Sequence, residues 1–321
     1  MRGSIRHIPW LGKIFILTGI FLIGLTVFTQ LSFLITRLLF PEVEMSDFFA
    51  RMNSSEPMQD VTKHEIWALK ISQTFSTIGY FFLGSILFIY LCGENIIASL
   101  NLNKKIKISS IGIIFLLLMS SGFIINLINE WNQKISLPTA MQGFEASMRK
   151  LEDLAQKQTD LFVGDTTIGG LLINILIVGL ITAICEEVFF RGVFQQTIFK
   201  GTGKIHLAVW VAAFFFSFIH FQFFGFFPRL ILGALLGYLY YWSGSLWAPI
   251  AAHFINNTVA VIAIYLVNTR VIEENVAETT SWIAALISIP FVIIILRIFK
   301  KNETKLTIAD GKRLDDGVLN Y

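Results

Sequence analysis

The stretch IGGLLINILIVGLITAICEEVFFR, residues 168–191, decides how this chain is built. From Ile168 to Ile184 it is almost wholly apolar, and then Glu186 and Glu187 arrive side by side. An apolar run of that length reads as a membrane-spanning helix. An ionisable group at mid-bilayer costs about 2.5–3.5 kcal/mol on insertion scales, so a chain rarely carries a pair without use for them. Farther along, two other apolar segments each hold a histidine, His220 and His253, and Asn257 follows the second by one turn. Carboxylates and imidazoles at depth in separate helices are the parts of a buried hydrolytic site.

Composition agrees with the membrane reading. The 321 residues are 55% hydrophobic and only 15% charged, with a mean hydropathy of +0.68 and 31 phenylalanines suited to lipid-facing and tightly packed spans. A net charge of +3 is too small to argue for nucleic acid, and the basic residues cluster in loops, as topology requires. Cys92 ends one span and Cys185 lies inside another, so neither a disulfide framework nor a cysteine metal pair is expected. The basic amino terminus runs into a long apolar segment with no small-residue cleavage site, which reads as a first span rather than a signal peptide.

Windows long enough to cross about 30 Å of hydrocarbon fall at roughly 14–40, 66–92, 108–129, 166–199, 205–223, 226–243, 247–267 and 281–299. The expected fold is therefore all-α, a polytopic bundle of about eight transmembrane helices in a single domain over 1–301, followed by a polar, loosely ordered tail over 302–321. Arg2, Arg6 and Lys13 precede the first span; Lys104, Lys105 and Lys107 follow the second; Lys200 and Lys204 follow the fourth; Arg297, Lys300, Lys301 and Lys305 close the last. Acidic residues mark the alternate loops, with Glu42, Glu44, Asp47 and Glu56 in one and Glu273, Glu274 and Glu278 in another. By the positive-inside rule both termini are cytoplasmic.

Two connections are longer. Residues 41–65 are polar with little periodicity and read as an external loop. Across 138–163, Met141, Phe144, Met148, Leu151 and Leu154 recur at three- and four-residue steps among charges, which predicts an amphipathic helix on the outer surface, either a plain interfacial helix or a substrate-gating lid.

The fourth apolar segment is too long for the bilayer, since about 34 residues span roughly 50 Å. Entering near Ile168, it reaches the far interface near Arg191, whose charge can snorkel to the headgroups. Glu187 and Arg191 are spaced i, i+4, which places an ion pair on one helix face and leaves Glu186 free to work. Helices four and five form a hairpin around Lys200–Lys204, and counting from that turn brings Glu186 and His220 to a similar height, about 20 Å above it. A carboxylate beside an imidazole can hold and deprotonate a water. His253 and Asn257 share a face of helix seven, and two N–H donors aimed at one point suit a developing oxyanion; interhelical hydrogen bonding is the plainer use of the same pair. Pro249 fits the first helical position before His253. Gly233 and Gly237 form a G-x-x-x-G that lets another helix approach closely. His7, His64 and His206 lie in loops or at interfaces and carry no role.

These residues resemble a known family. Glu186-Glu187-Val-Phe-Phe-Arg191 is similar to the EExxxR motif, Phe216-Ser-Phe-Ile-His220 to FxxxH, and His253-Phe-Ile-Asn-Asn257 to HxxxN of the CAAX-protease-like, or CPBP (Abi), intramembrane proteases. The likeness covers about 166–267, and three motifs in order at this spacing are specific where each alone is weak. It implies a multi-helix bundle with its reaction centre in the membrane, open to the cytosolic side. Glu186 and His220 would activate the hydrolytic water, His253 and Asn257 would form the oxyanion hole, and Glu187 with Arg191 and Phe216 would support them. A zinc site built from Glu186, Glu187, His220 and His253 is the other chemistry the resemblance allows. The metal-free version is preferred because Asn257 is a poor zinc ligand and a good oxyanion donor.

The sequence thus reads as an integral membrane endopeptidase, in a bacterial inner membrane, acting on membrane proteins or peptides near the cytoplasmic half of the bilayer, with no nucleic-acid partner. Two readings from other classes stand beside it: a zinc metalloendopeptidase using the same residues, and a non-catalytic immunity, scaffold or transport protein.

Overall fold

Backbone amides find no water inside hydrocarbon, so apolar segments of this length must close their hydrogen bonds within helices. The computed structural model describes residues 1–54, 58, 60–273 and 282–309, with side chains as far as 303. Its helices are α1 (Trp10–Leu39), α2 (Met45–Asn53), α3 (Lys63–Cys92), α4 (Ile96–Ser99), α5 (Ile108–Gln133), α6 (Gln142–Val163), α7 (Ile168–Thr202), α8 (Ile205–Phe218), α9 (Phe226–Ser243), α10 (Trp247–Asn268) and α11 (Trp282–Ala309). Among the described residues there is no strand, and seven helices (α1, α3, α5, α7, α9, α10 and α11) are long and apolar enough to cross a membrane. The protein is an all-α polytopic membrane bundle. Outward-facing side chains such as Phe15, Ile23, Leu38, Ile287 and Phe291 give it an apolar belt.

The ends of the helices have local causes. Thr62 and Glu65 form a capping box at the start of α3, and Thr167 accepts from the Gly170 amide at the start of α7. Gly203, at φ +67°, lets the chain reverse between α7 and α8. α8 and α9 then pack closely, because Gly233 and Gly237 present no side chain to Ala213 and Val209. An aromatic cluster of Phe81, Phe189, Phe190 and Phe216 ties α3, α7 and α8 together.

Two ends of the bundle are distinguishable. At one, the Gly3 and Ile5 amides bond to Tyr90 and Leu91, Lys200 pairs with Glu94 at 3.2 Å, and Ser110 bonds to Glu303. At the other, Lys157 of α6 reaches the Ser54 carbonyl at 3.4 Å, and Gln158 bonds to Gln73. The segments expected on one side of the membrane from their lysines therefore meet at one end.

Several expectations are corrected. The fifth expected span stops at Phe218, so α8 has 14 residues, a rise of about 21 Å against a core of about 30 Å. It is halted by a turn in which Phe221 takes φ +52°, a left-handed state uncommon for a bulky residue. The stretch 41–65 is not all loop: α2 buries Met45, Phe48 and Met52, the first two in a cluster with Leu69 and Phe162, a face too short for its periodicity to stand out. α11 runs on to Ala309, with Glu303 fully buried against Ser110, so the polar tail begins as helix. Residues 310–321 of that tail, with Glu56, Glu274 and Glu278 of the acidic loops, lie outside the described residues. Pro249 is the third residue of α10 rather than the first, still within the turn whose N–H groups have no helical partner. α6 forms as expected; Met141, Phe144 and Leu151 stay exposed, while Glu152 and Phe162 turn toward the protein.

Candidate active site

The glutamate pair sits in a short α-helical stretch, Thr182–Glu187, between two π-helical stretches of α7, Ile175–Ile181 and Val188–Gln195. Such widened turns recur at functional sites because they re-aim side chains around the helix. Here the two acids diverge. Glu187 is wholly buried, and its Oε1 accepts from Arg191 Nη1 at 2.7 Å and from His253 Nδ1 at 2.8 Å. Glu186 faces a cavity of about 420 Å³, with His253 Nε2 at 3.9 Å from its Oε2.

The i, i+4 ion pair between Glu187 and Arg191 is present, but Arg191 does not snorkel. It is 1% exposed, donates to the Gly233 carbonyl at 2.9 Å, and lays its guanidinium 4.7 Å from the centre of the Phe216 ring. Moving its charge to the interface would leave Glu187 with only the His253 ring, and a poorly compensated buried charge costs several kcal/mol. One turn on, Gln195 Nε2 repeats the contact at the Gly237 carbonyl, 3.2 Å away. The glycine pair of α9 thus lets α8 approach and also offers carbonyls to α7.

His220 lies in the turn after α8, not on the helix. Its Nδ1 is 2.7 Å from the Phe216 carbonyl, which can only accept, so Nδ1 donates, and in the neutral ring Nε2 keeps its lone pair. Phe216 touches both imidazoles, with ring centres 5.3 Å from His220 and 5.9 Å from His253. Asn257 is held at both ends of its amide: Nδ2 donates to the Val178 carbonyl at 2.9 Å, and Oδ1 accepts from Asn256 at 3.3 Å. One amide hydrogen remains for the cavity it lines.

Glu186, Phe216, His220, His253 and Asn257 therefore share one cavity wall, whereas Glu187 and Arg191 stand behind it. The cavity reaches from Glu186 past Ile177 and Thr74 toward Gln73 and Phe162, the end of the bundle carrying α6. An opening at the end with the chain's basic flanks, as the resemblance implied, is not what the cavity follows. There the aromatic cluster around Phe189 and Phe194 fills the space.

Sequence reasoning missed Arg229, Tyr80, Asn256 and the threonines 74, 77 and 182, all on the cavity wall. Arg229 had a signal: it is a lone charge inside an apolar window, the same anomaly that singled out the glutamates. The others carried none, being ordinary polar residues on helices. Above Arg229, α6 clasps the turn Phe223–Gly225, with Arg149 4.1 Å over the Phe224 ring and Glu152 accepting from the Phe224 amide at 3.2 Å. Burial pushes the Glu152 carboxyl above its ordinary value, an effect that the Phe224 amide and Arg229 oppose.

Among the described residues no three His, Cys, Asp or Glu side chains converge as metal ligands. Glu187 Oε2 is buried without a hydrogen-bond partner, yet Arg191 occupies the other oxygen of that carboxylate.

Comparison with known proteins bears on the same part of the chain. Residues 168–259, less than a third of the chain, match the family described as type II CAAX prenyl endopeptidase Rce1-like, in agreement with the motif resemblance. The match takes in all three motifs. A protein of Bacillus subtilis (strain 168), named uncharacterized protein YpbD, is 32% identical over 101 residues, covering 30% of this chain and 49% of the relative. The chain thus spans about half the length of that relative. No solved structure matches.

Proposed function

We propose that the protein is an intramembrane endopeptidase that hydrolyses peptide bonds of membrane-associated proteins or peptides with water activated by Glu186 and His220. The carrying observation is the convergence of Glu186, His220, His253 and Asn257, from three separate segments, on one cavity buried in a membrane bundle. The likeness of residues 168–259 to type II CAAX prenyl endopeptidases supports the same class.

Glu186 and His220 Nε2 flank a water. Its oxygen attacks the scissile carbonyl carbon while its proton passes to Glu186. The carbonyl oxygen becomes an oxyanion, received by His253 Nε2–H and the remaining amide hydrogen of Asn257. His253 stands between two carboxylates, with Nδ1 facing Glu187 and Nε2 facing Glu186 at the cavity. Collapse breaks the carbon–nitrogen bond, and the proton held by Glu186 goes to the leaving amine. Glu187 and Arg191 are positioning residues, fixing His253 without touching the substrate.

The reaction as proposed uses no metal. Zinc would have to draw ligands from a set in which Glu187 already serves Arg191 and His253, and in which two guanidiniums, Arg191 and Arg229, repel a dication. The donor set in this arrangement does not suit it. We place the protein in a bacterial cell membrane with both termini cytoplasmic, supported by the basic flanks of alternate loops. The bond cut then lies in the half of the bilayer toward α6.

Comparing membrane-derived peptides from cells making the wild type with those making Glu186→Ala tests the reading. Peptides seen only with the active chain, sharing a cleavage position, are expected; identical peptide sets would contradict it.

A further inference from the structure

Arg229 lines the proposed catalytic cavity from the first turn of α9, inside a segment apolar enough to span the membrane. Removing a cation from water at such depth is costly, and the usual remedy is a bonded carboxylate. Arg191 has one in Glu187. Arg229 has none among the described residues: its hydrogen bonds both go to Gln222, with Nη1 3.3 Å from the carbonyl and Nη2 2.6 Å from Oε1. A guanidinium carries five N–H donors, so three remain. The seat is shaped for it as well, since a Cβ on Gly225 would lie 2.6 Å from Nη2. Gln222 thus fixes the fork, Gly225 makes room for it, and its free donors share the wall that holds Glu186.

We infer that Arg229 is a specificity-determining residue whose guanidinium binds a carboxylate of the substrate. The inference rests on the peptidase reading. Glu186 repels an anion entering the cavity, so a carboxylate settles at Arg229 and sets which peptide bond comes to Glu186. Planar two-point pairing with carboxylate is what a held guanidinium does best. Two sources supply the same chemistry: the carboxyl terminus of the peptide, or an aspartate or glutamate side chain. The contrary assignment makes Arg229 a counter-ion to Glu186 and Glu152, both within its electrostatic reach.

The test uses the purified full-length chain in bicelles and three fluorescent, membrane-anchored peptides of one sequence: a free carboxyl terminus, a carboxamide terminus, and the carboxamide with one internal glutamine replaced by glutamate. Cleavage and binding (fluorescence anisotropy with the Glu186→Gln chain) are both measured. One of the two carboxylate peptides should surpass the plain carboxamide by about tenfold or more, through KM and through binding, as a charge-assisted pair gives; which one identifies the source. Arg229→Gln should erase that preference, treating the carboxylate and carboxamide peptides alike whatever its overall rate, and Arg229→Lys should keep part of it. Melting temperatures identify any variant that fails to fold, and Arg229→Lys then carries the comparison. Equal treatment of all three peptides by the wild type, or a preference that survives in Arg229→Gln, overturns the inference. If nothing is cleaved, binding alone decides: a preference lost in Arg229→Gln upholds the carboxylate site and defeats the peptidase reading, whereas no preference defeats the site.

Discussion

His253 Nδ1 and Arg191 Nη1 meet on a single oxygen, Oε1 of Glu187, at 2.8 and 2.7 Å. The second glutamate of the motif therefore serves a ring and a guanidinium rather than the cavity. The arrangement links α7 to α10 directly and, through the Arg191 contact with the Gly233 carbonyl, to α9. A buried cation, a buried anion and an imidazole thereby share one contact, although Glu187 Oε2 and Arg191 Nε are buried without a hydrogen-bond partner.

Removing one partner should strand the others. Arg191→Ala and Glu187→Gln are each expected to destabilise the protein by about 3–5 kcal/mol, the cost of breaking a buried pair. The double variant Glu187→Gln with Arg191→Met should recover part of that stability, because no charge is left alone, while staying inactive because His253 has lost its anchor. Denaturant unfolding in mixed micelles together with peptide cleavage measures both. Additive losses across Glu187→Gln, Arg191→Met and their combination would show that the two side chains act separately.

Asn257 is expected to act only when charge develops on the substrate. Asn257→Ala should lower kcat by about 10²–10³ with KM little changed, the signature of a lost oxyanion donor. Its side chain also bonds to the Val178 carbonyl, so a melting temperature should accompany the kinetics. A rise in KM at unchanged kcat would reassign Asn257 to substrate binding.

Much of this site was legible before any coordinates. Charges inside apolar windows are so costly that Glu186, Glu187, His220 and His253 announced themselves, and the i, i+4 spacing gave the Glu187–Arg191 pair. Glu186 and His220, expected at a similar height across the α7–α8 hairpin, both line one cavity. Other features had no sequence signal. Nothing in the pattern says that Phe221 adopts a left-handed backbone and halts α8, or that Arg191 stays inside. Both depend on tertiary partners, namely the turn clasped by α6 and the Glu187 carboxylate. α2 escaped because the three residues it buries on a nine-residue helix make too short a face for a periodicity to stand out.

Metal dependence is a separate prediction. Active, detergent-purified protein is expected to carry no stoichiometric zinc by elemental analysis and to keep its activity through a titration with strong chelators. One tightly held zinc per chain, whose removal and return switch activity off and on, would defeat the metal-free mechanism while leaving the same residues as the site.

The orientation can be read with impermeant maleimide on intact cells. Single cysteines at exposed Ser54 and Gln156 should react, and one at exposed Lys301 should not. The two native cysteines, Cys92 and Cys185, are buried and should contribute little background. Reaction at Lys301 alone would invert the bundle and move the cavity to the cytoplasmic half of the bilayer.

The central claim is that Glu186 activates the attacking water, and one substitution addresses it most directly. Glu186→Gln keeps the shape of the side chain and removes a buried charge rather than adding one, so insertion and melting temperature should hold. The amide cannot take a proton from water, and turnover of a cleavable membrane reporter by the purified chain should fall by at least about a hundredfold. Near-normal cleavage by well-folded Glu186→Gln protein would contradict the account.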